Sequence, residues 1–460
     1  MKIQIKNLGA LKQAEFTLGD LTIICGGNNT GKTYATYALF GFLQTWQQKL
    51  IVEVSDQSIE NLLSDGVVHI DITTYLRQAH DILKQGCLAY TQQLPKIFAA
   101  NSEHFQNSEF RVLLESDKIA IKASFERKIQ TANAELFSLS KVENSMELIV
   151  SLLVAQEKVK FPTTMIKRVI ADAINKIIFE RSFPKPFIAS AERTGAAIFR
   201  QELNFARNSL LEEMSQADKN FNPRELLLKG YKDYALPVEH NVDFTRQLET
   251  IAQKNSFLKE RHPEVLAEFS NIIGGEYTIT HNDELYFKPK DKRIKLTMDE
   301  SSSAVRSLLD IGFYLRHVAQ PGDLLMIDEP ELNLHPENQR RIARLFARLV
   351  NLGLKIFLTT HSDYIVKELN TLIMLNQDKP YLKQIAEQES YQAEELIAAD
   401  QIKAYIAEEA LVNLEGEQSR CQTLTAANID PVLGIEARSF DETINEMNRI
   451  QETIVWGGND

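Results

Sequence analysis

The sequence predicts an α/β fold in which a mixed sheet carries a phosphate-binding loop and helical insertions interrupt the chain. Three observations predict it. Gly26-Gly27-Asn28-Asn29-Thr30-Gly31-Lys32-Thr33 fits the pattern G-x-x-x-x-G-K-[ST] without a mismatch. The apolar run Leu21-Thr22-Ile23-Ile24-Cys25 before it reads as a buried strand, and Tyr34 to Gln44 after it as a helix. Two further apolar strands end in polar groups: Leu324 to Ile327 runs into Asp328-Glu329, and Lys355 to Thr359 runs into Thr360-His361.

Strand, glycine loop and helix are what phosphate binding needs. Glycines let backbone N–H groups from Gly26, Asn28, Asn29, Thr30 and Gly31 turn inward on phosphates, and the helix N-terminus adds its positive dipole end. Lys32 supplies a point charge at the β and γ phosphates of ATP, and the Thr33 hydroxyl can ligand Mg²⁺. At the second strand, Asp328 is placed to hold Mg²⁺, directly or through water, and Glu329 to polarise the attacking water as general base. Taken alone, His361 is a structural histidine. Its place after the Asp-Glu strand makes it a γ-phosphate contact, because neighbouring strand ends of an α/β sheet share one crevice.

Composition bounds the rest. At 460 residues the chain has room for two or three domains, and 44% hydrophobic with 25% charged content is ordinary for a soluble protein. No apolar run reaches the length of a membrane span, and the alternating start Met1 to Lys6 is no signal peptide. Three scattered cysteines without a C-x-x-C exclude a zinc hook and point to a reduced, cytoplasmic setting. A net charge of −12 argues against a uniformly basic nucleic-acid coat and leaves a local basic groove open.

In chain order, residues 1–50 read as the N-terminal part of an ATPase head: strand, turn, strand, turn, strand, P-loop, helix. Residues 51–185 read as a mostly helical insertion, with helical-period stretches at Thr74 to Leu94 and Glu143 to Val159 and no sustained heptad. Residues 186–370 return to the head. Pro186 to Ser190 reads as a strand, and Ala191-Glu192-Arg193-Thr194-Gly195 after it as a solvated turn or a site. Residues 197–270 read as helical, broken near Asn222-Pro223 and Leu236-Pro237. Glu276 to His281, Glu284 to Lys288 and Arg293 to Thr297 read as hairpin strands. Lys288, Lys290, Lys292, Arg293 and Lys295 make that patch basic, either a solvated face or a nucleic-acid contact. The serines at Ser301 to Ser303 read as an N-cap and as an anion site. Arg340, Arg344 and Arg348 lie four apart on one helix face, a solvated stripe with a DNA-facing stripe as the alternative. Residues 371–460 form a mixed, candidate partner-binding region. In it Leu372 to Leu375 and Cys421 to Ala426 read as strands, and Phe440 to Val455 as an amphipathic helix on Ile444, Met447, Ile450 and Ile454. It carries neither the D-x-D carboxylate set of a two-metal nuclease nor an H-N-H cluster.

Taken together, the P-loop, the Ser301–Leu308 segment, the Asp328-Glu329 strand and the His361 strand resemble the ABC-type ATPase head. Ile327-Asp328-Glu329-Pro330-Glu331-Leu332-Asn333-Leu334-His335-Pro336 is similar to the branch related to overcoming-lysogenisation-defect (OLD) proteins, with SMC and RecF proteins more distant. The resemblance implies ATP and Mg²⁺ as cofactors and a homodimer that sandwiches ATP between two heads. Within it, Ser301 and Ser302 stand where a signature serine meets the opposite γ phosphate, although the L-S-G-G core is absent. His361 matches the switch histidine, and Asn333, Leu334 and His335 the segment where paired heads meet. Ala191 to Gly195 is similar to a segment of the same branch, which makes Arg193 a nucleotide-site residue. The tail Gly434 to Glu442 resembles anti-phage ATPases that work with a separate effector nuclease: the Septu type with an HNH partner, or the PARIS type with a TOPRIM partner. These resemblances imply a slow, regulatory ATPase acting as sensor or scaffold of a defence complex, with DNA as a further possible ligand. The alternatives are a RecF- or SMC-type repair ATPase, against which stand the short insertions and missing hinge or hook, and a self-sufficient OLD-like nuclease, against which stands the missing carboxylate set. A P-loop protein that binds nucleotide only structurally is opposed by Glu329.

Overall fold

The computed structural model describes residues 1–115, 119–130, 135–153, 162–199, 234–280, 284–290, 292–414, 416–436 and 446–454. It divides into two compact units. One comprises Met1–Gln4, Phe42–Gln93 and Glu109–Pro184, and the other Ile5–Gly41, Leu94–Ser108 and Lys185–Asp460.

The chain opens with β1 (Lys2–Leu8) and β2 (Leu11–Thr17), in which Ile3, Ile5, Ala14 and Phe16 take the buried positions. β3 (Leu21–Gly26) is buried throughout, as a strand covered on both faces must be. The glycine loop follows, and α1 (Lys32–Lys49) begins at its lysine.

In the first unit, α2 (Asp56–Asp65) starts where the Ser55 side chain accepts from Ser58 N and stops at Gly66, whose φ is 76°. β4 (Val67–Asp71), α3 (Ile72–Arg77) and α4 (Ala79–Thr91) come next. After α5 (Leu94–Ile97), which belongs to the second unit, the chain forms β5 (Glu109–Leu113), β6 (Phe125–Gln130), β7 (Glu135–Lys141), β8 (Glu147–Leu152) and α6 (Thr163–Phe179). An antiparallel sheet of order β4-β8-β7-β6 results, with Val68 opposite Val150 and Ile70 opposite Leu148, all four buried. α6 buries Ile166, Ile170, Ile174 and Ile177 and packs against α2 and α3.

The expectation of a mostly helical insertion is corrected by that sheet. Thr74 to Leu94 is helical, but the stretch read at helical period from Glu143 holds β8, and its last residues, 154–159, lie outside the described residues. Leu148-Ile149-Val150 is too short an apolar run to separate the two periods, and its β-branched members favour the strand.

The second unit continues with β9 (Pro186–Ala189), α7 (Arg193–Ile198), α8 (Leu236–Arg246), α9 (Leu248–Ala252), α10 (Phe257–Arg261) and α11 (Pro263–Ile273). The break expected at Asn222-Pro223 lies outside the described residues. β10 (Gly275–Ile279), β11 (Leu285–Pro289) and β12 (Leu296–Thr297) pair antiparallel, as the hairpin reading expected, with His281 undescribed. The five cationic residues of this patch are all exposed. α12 (Ser303–Ser307) and α13 (Leu309–His317) lead into β13 (Leu324–Asp328), α14 (Pro336–Asn351), β14 (Lys355–Thr360) and α15 (Asp363–Leu375). α16 (Pro380–Gln388), β15 (Ile402–Leu414), β16 (Glu417–Ala426) and the short pair β17 (Ile429–Asp430) and β18 (Gly434–Ile435) complete the numbered elements.

The central sheet has the order β16-β15-β3-β14-β13-β9. β15, β3, β14, β13 and β9 run parallel, and β16 returns antiparallel on β15. Ile23, Leu325, Ile327, Ile356 and Leu358 anchor its core with Phe346 of α14. The parallel strands bring Gly26, Thr360, Asp328 and Ala189 to one edge, which positions the site.

Two further expectations change. Leu372 to Leu375 is the last turn of α15, not a strand: Ser362 caps that helix by accepting from Ile365 N, and Ile365, Leu369 and Leu372 carry its buried stripe. Arg340, Arg344 and Arg348 form an ion-paired stripe rather than a freely solvated one. Arg340 and Arg344 donate to Glu368 (2.6 and 2.5 Å), which is 3% exposed, and Arg348 donates to Glu268 (3.1 Å). The amphipathic tail helix is present at 446–454 with Met447, Ile450 and Ile454 exposed, while Phe440, Ile444, Val455 and residues 437–442 of the tail segment lie outside the described residues. Among the described residues no helix is long and apolar enough to cross a membrane.

Candidate nucleotide site

The phosphate loop is shaped by backbone that only glycine tolerates. Gly26 has φ 140° and Gly31 φ 95°, and a Cβ would stand 2.5 Å from Ala407 O at the first and 2.6 Å from Leu11 Cγ at the second. Asn29 also takes a left-handed φ, 59°, which asparagine accepts more readily than most residues. Thr30 Oγ1 closes the loop on Gly27 O at 2.9 Å. Lys32 is 6% exposed, and its Nζ donates to Gly26 O (3.1 Å) and Gly27 O (2.6 Å). Burial pulls its pKa down, opposed by Asp328, Glu329 and Glu331. The first turn of α1 carries no acidic residue, so no side-chain charge offsets the dipole end that faces an anion.

Asp328 closes β13 at 1% exposure. Its Oδ1 accepts from Thr359 Oγ1, its carboxylate hydrogen-bonds the Thr33 hydroxyl, and Oδ2 has no hydrogen-bond partner among the described residues. Burial raises its pKa, partly offset by the Thr359 bond. A buried, orphaned carboxylate oxygen beside the P-loop hydroxyl is the donor set a hard cation takes, so Thr33 and Asp328 fit Mg²⁺.

Glu329 follows with φ 54°. Its N–H donates to Thr359 O at 3.1 Å, and its carboxylate lies 3.4 Å from His361 Nε2. Burial, then the Lys32 charge, lower the His361 pKa. The ring is therefore neutral at neutral pH, and its contact with Glu329 is a hydrogen bond rather than an ion pair. Lys32, Asp328, Glu329 and His361 thus meet at one sheet edge, as their strand-end positions expect.

The other candidates sit differently. Ser301 Oγ donates to Thr297 O (2.7 Å), and Ser302 caps α12 by accepting from Val305 N (3.3 Å), so both make local bonds. Arg193 is 1% exposed with its guanidinium committed to main-chain carbonyls. That placement differs from its reading as a nucleotide contact: four of its five N–H donors go to backbone carbonyls.

Two side chains escaped sequence reasoning. Glu331 accepts from Thr360 Oγ1 (2.9 Å) and His361 N (2.6 Å), fixing the loop that carries the histidine. Tyr37, one turn along α1, donates to Glu192 Oε2 at 2.8 Å, which ties the P-loop helix to the end of β9. Glu331 stood inside a motif already singled out, while nothing in sequence pairs Tyr37 with a residue so distant.

Solved structures that match include an SMC head bound to the C-winged helix domain of ScpA, at 12% identity over 92% of this chain and 97% of that one, TM-score 0.32. The SMC head domain from Thermotoga maritima matches at 10% over 93% and 98%, TM-score 0.29. An SMC head with an extended coiled coil from Pyrococcus furiosus matches at 13% over 98% of each chain, TM-score 0.30. No curated protein matches the sequence. The family described as AAA ATPase domain matches residues 1–366 of the 460. With its P-loop, its Asp-Glu strand end and most of its length inside that match, the chain belongs to the AAA ATPase domain family.

Proposed function

We propose that this protein is an ABC-type ATPase that binds ATP with Mg²⁺ and hydrolyses it slowly, as a switch. The observation that carries the reading is the Glu329–His361 contact of 3.4 Å at the edge that also holds Lys32 and Asp328. A carboxylate and a neutral imidazole stand together where a γ phosphate would lie. In this reading the loop N–H groups and Lys32 hold the phosphates. Thr33 and Asp328 would hold Mg²⁺, which would supply neutralising charge at the phosphates. Glu329 accepts a proton from the attacking water, and His361 donates to the γ phosphate. Ser301 and Ser302 belong to the site of a second copy, since their bonds in this chain are local.

The test is steady-state hydrolysis with ATP titrations. Lys32→Ala is expected to lose nucleotide binding, and unchanged ATP affinity would refute the P-loop reading. Glu329→Gln is expected to bind ATP and lose at least about 100-fold in turnover, the usual contribution of a general base. Parental turnover in Glu329→Gln removes that assignment.

The narrower reading is a sensor or scaffold of an anti-phage complex whose nuclease chemistry, HNH or TOPRIM, comes from a separate partner. The tail sequence from Gly434 supports it by resemblance.

A further inference from the structure

Arg193 heads the large, fully buried side chains of the described residues. A guanidinium in such a place is costly unless its donors are met and its charge is balanced. Four bonds to carbonyls meet four of its five donors. Nε donates to Ser307 O (2.7 Å), Nη1 to Ser190 O (2.8 Å) and Asp328 O (2.7 Å), and Nη2 to Glu329 O (2.8 Å). Asp310, Asp328, Glu331 and Glu329 supply the balancing field, against the burial that pulls the Arg193 pKa down.

The carbonyls come from three elements: the end of β9, the end of β13 and the end of α12. The last residue of β13 is followed by the left-handed turn at Glu329, a conformation a glutamate holds only where the surroundings over-determine it. Three bonds do so here. The Glu329 N–H is held by Thr359 O, and its carbonyl accepts from both Arg193 Nη2 and Leu332 N. That backbone sends the carboxylate toward His361. The end of α12 is tied to the same turn a second time, because Ser307 Oγ donates to Leu332 O at 3.0 Å.

We propose that Arg193 is a positioning residue for hydrolysis: it locks the Glu329 turn to the C-terminal end of the serine-headed helix α12, so that the general base is in register only when that helix is seated. The proposal rests on the ATP-hydrolysis reading above and adds a mechanical link from one helix to one carboxylate. Arg193 acts through the backbone it holds.

The test compares Arg193→Lys and Arg193→Met with the parent in the full chain, by ATP calorimetry, steady-state kinetics and thermal melting. A lysine ammonium has a compact donor set and cannot span three elements as the planar fork does. The expected result for Arg193→Lys is a melting transition, ATP affinity and KM like the parent's, and kcat about 100-fold lower, the scale of a misplaced catalytic group. A folded Arg193→Lys with parental kcat overturns the proposal, as does loss of ATP affinity in step with kcat. Arg193→Met removes the guanidinium bonds to all four carbonyls, so where it does not fold, the lysine variant decides. Failure of both to fold assigns Arg193 to the fold alone and also overturns it. Glu329→Gln is measured alongside. Its retained turnover removes the hydrolysis mechanism itself, whereas a dead Glu329→Gln beside an active Arg193→Lys removes only the link.

Discussion

Asp310 lies next to the Arg193 clamp and is the group from which pH dependence follows most directly. It is 2% exposed; Oδ1 accepts from Thr245 Oγ1 at 3.1 Å, and Oδ2 has no hydrogen-bond partner among the described residues. Burial pushes its pKa from 3.8 up to about 7, against the Thr245 bond and the Arg193 charge. Between those values the folded protein keeps a proton that the unfolded chain releases. Its contribution to stability is therefore full below about pH 4, is lost as pH rises through about 7, and stays lost above. Asp310→Asn removes the titration, so the variant should melt a few degrees above the parent at pH 8 and lose that advantage at pH 4. An equal difference at both pH values refutes the assignment. At this scale Lys32, Asp328, Glu329 and His361 were legible because each closes a contiguous motif. Arg193, Glu331 and Tyr37 act through carbonyls or side chains brought close only by the fold. A single sequence shows a residue's chemistry, not the carbonyls it will meet.

Among the elements, α14 and α15 show how pairing replaces the simplest reading of a charge pattern. Arg340 and Arg344 converge on Glu368, and Arg344 also stacks over the Tyr391 ring at 3.9 Å. The four-residue spacing was legible, but the acid that receives both arginines lies on another helix. Glu368 is 3% exposed, so its removal leaves Arg344, 17% exposed, without its counter-charge. Glu368→Ala should destabilise by roughly 3 kcal/mol, near the lower range for breaking a buried pair. Urea unfolding checks it, and a loss under about 0.5 kcal/mol, ordinary for surface pairs, refutes it. Strands β3, β13 and β14 were legible as apolar runs ending in functional groups, as buried parallel strands are. β8 and the end of α15 were not, since runs such as Leu148 to Val150 and Leu372 to Leu375 satisfy both periods. N-capping by Ser362 and β-branching at Ile149 and Val150 decided them.

For the whole molecule, what the sequence left unseen is the placement of its C-terminal part. β15 lies parallel beside the P-loop strand β3, with Ala407 opposite Gly26, and β16 closes that side of the sheet. Strand order depends on contacts across hundreds of residues, which no local pattern encodes. The resulting head leaves its chemistry at the surface: the Glu329 and His361 side chains are 31% and 28% exposed. Hydrolysis by a general base gains from a site closed to bulk water, and Ser302 and Ser303, both exposed, make no part of such a closure in their own chain. A second copy can supply it, with its serine segment over the first copy's γ phosphate. If so, pairing must follow ATP occupancy and end with hydrolysis. Glu329→Gln with ATP and Mg²⁺ should then accumulate a species of twice the chain mass in light scattering. Lys32→Ala should stay at the mass of one chain under the same conditions, and the parent should pair only transiently. A Glu329→Gln protein that binds ATP yet keeps the mass of one chain would place the missing closure in another protein, and capture of partners on ATP-loaded protein, read by mass spectrometry, would then be the direct route to it.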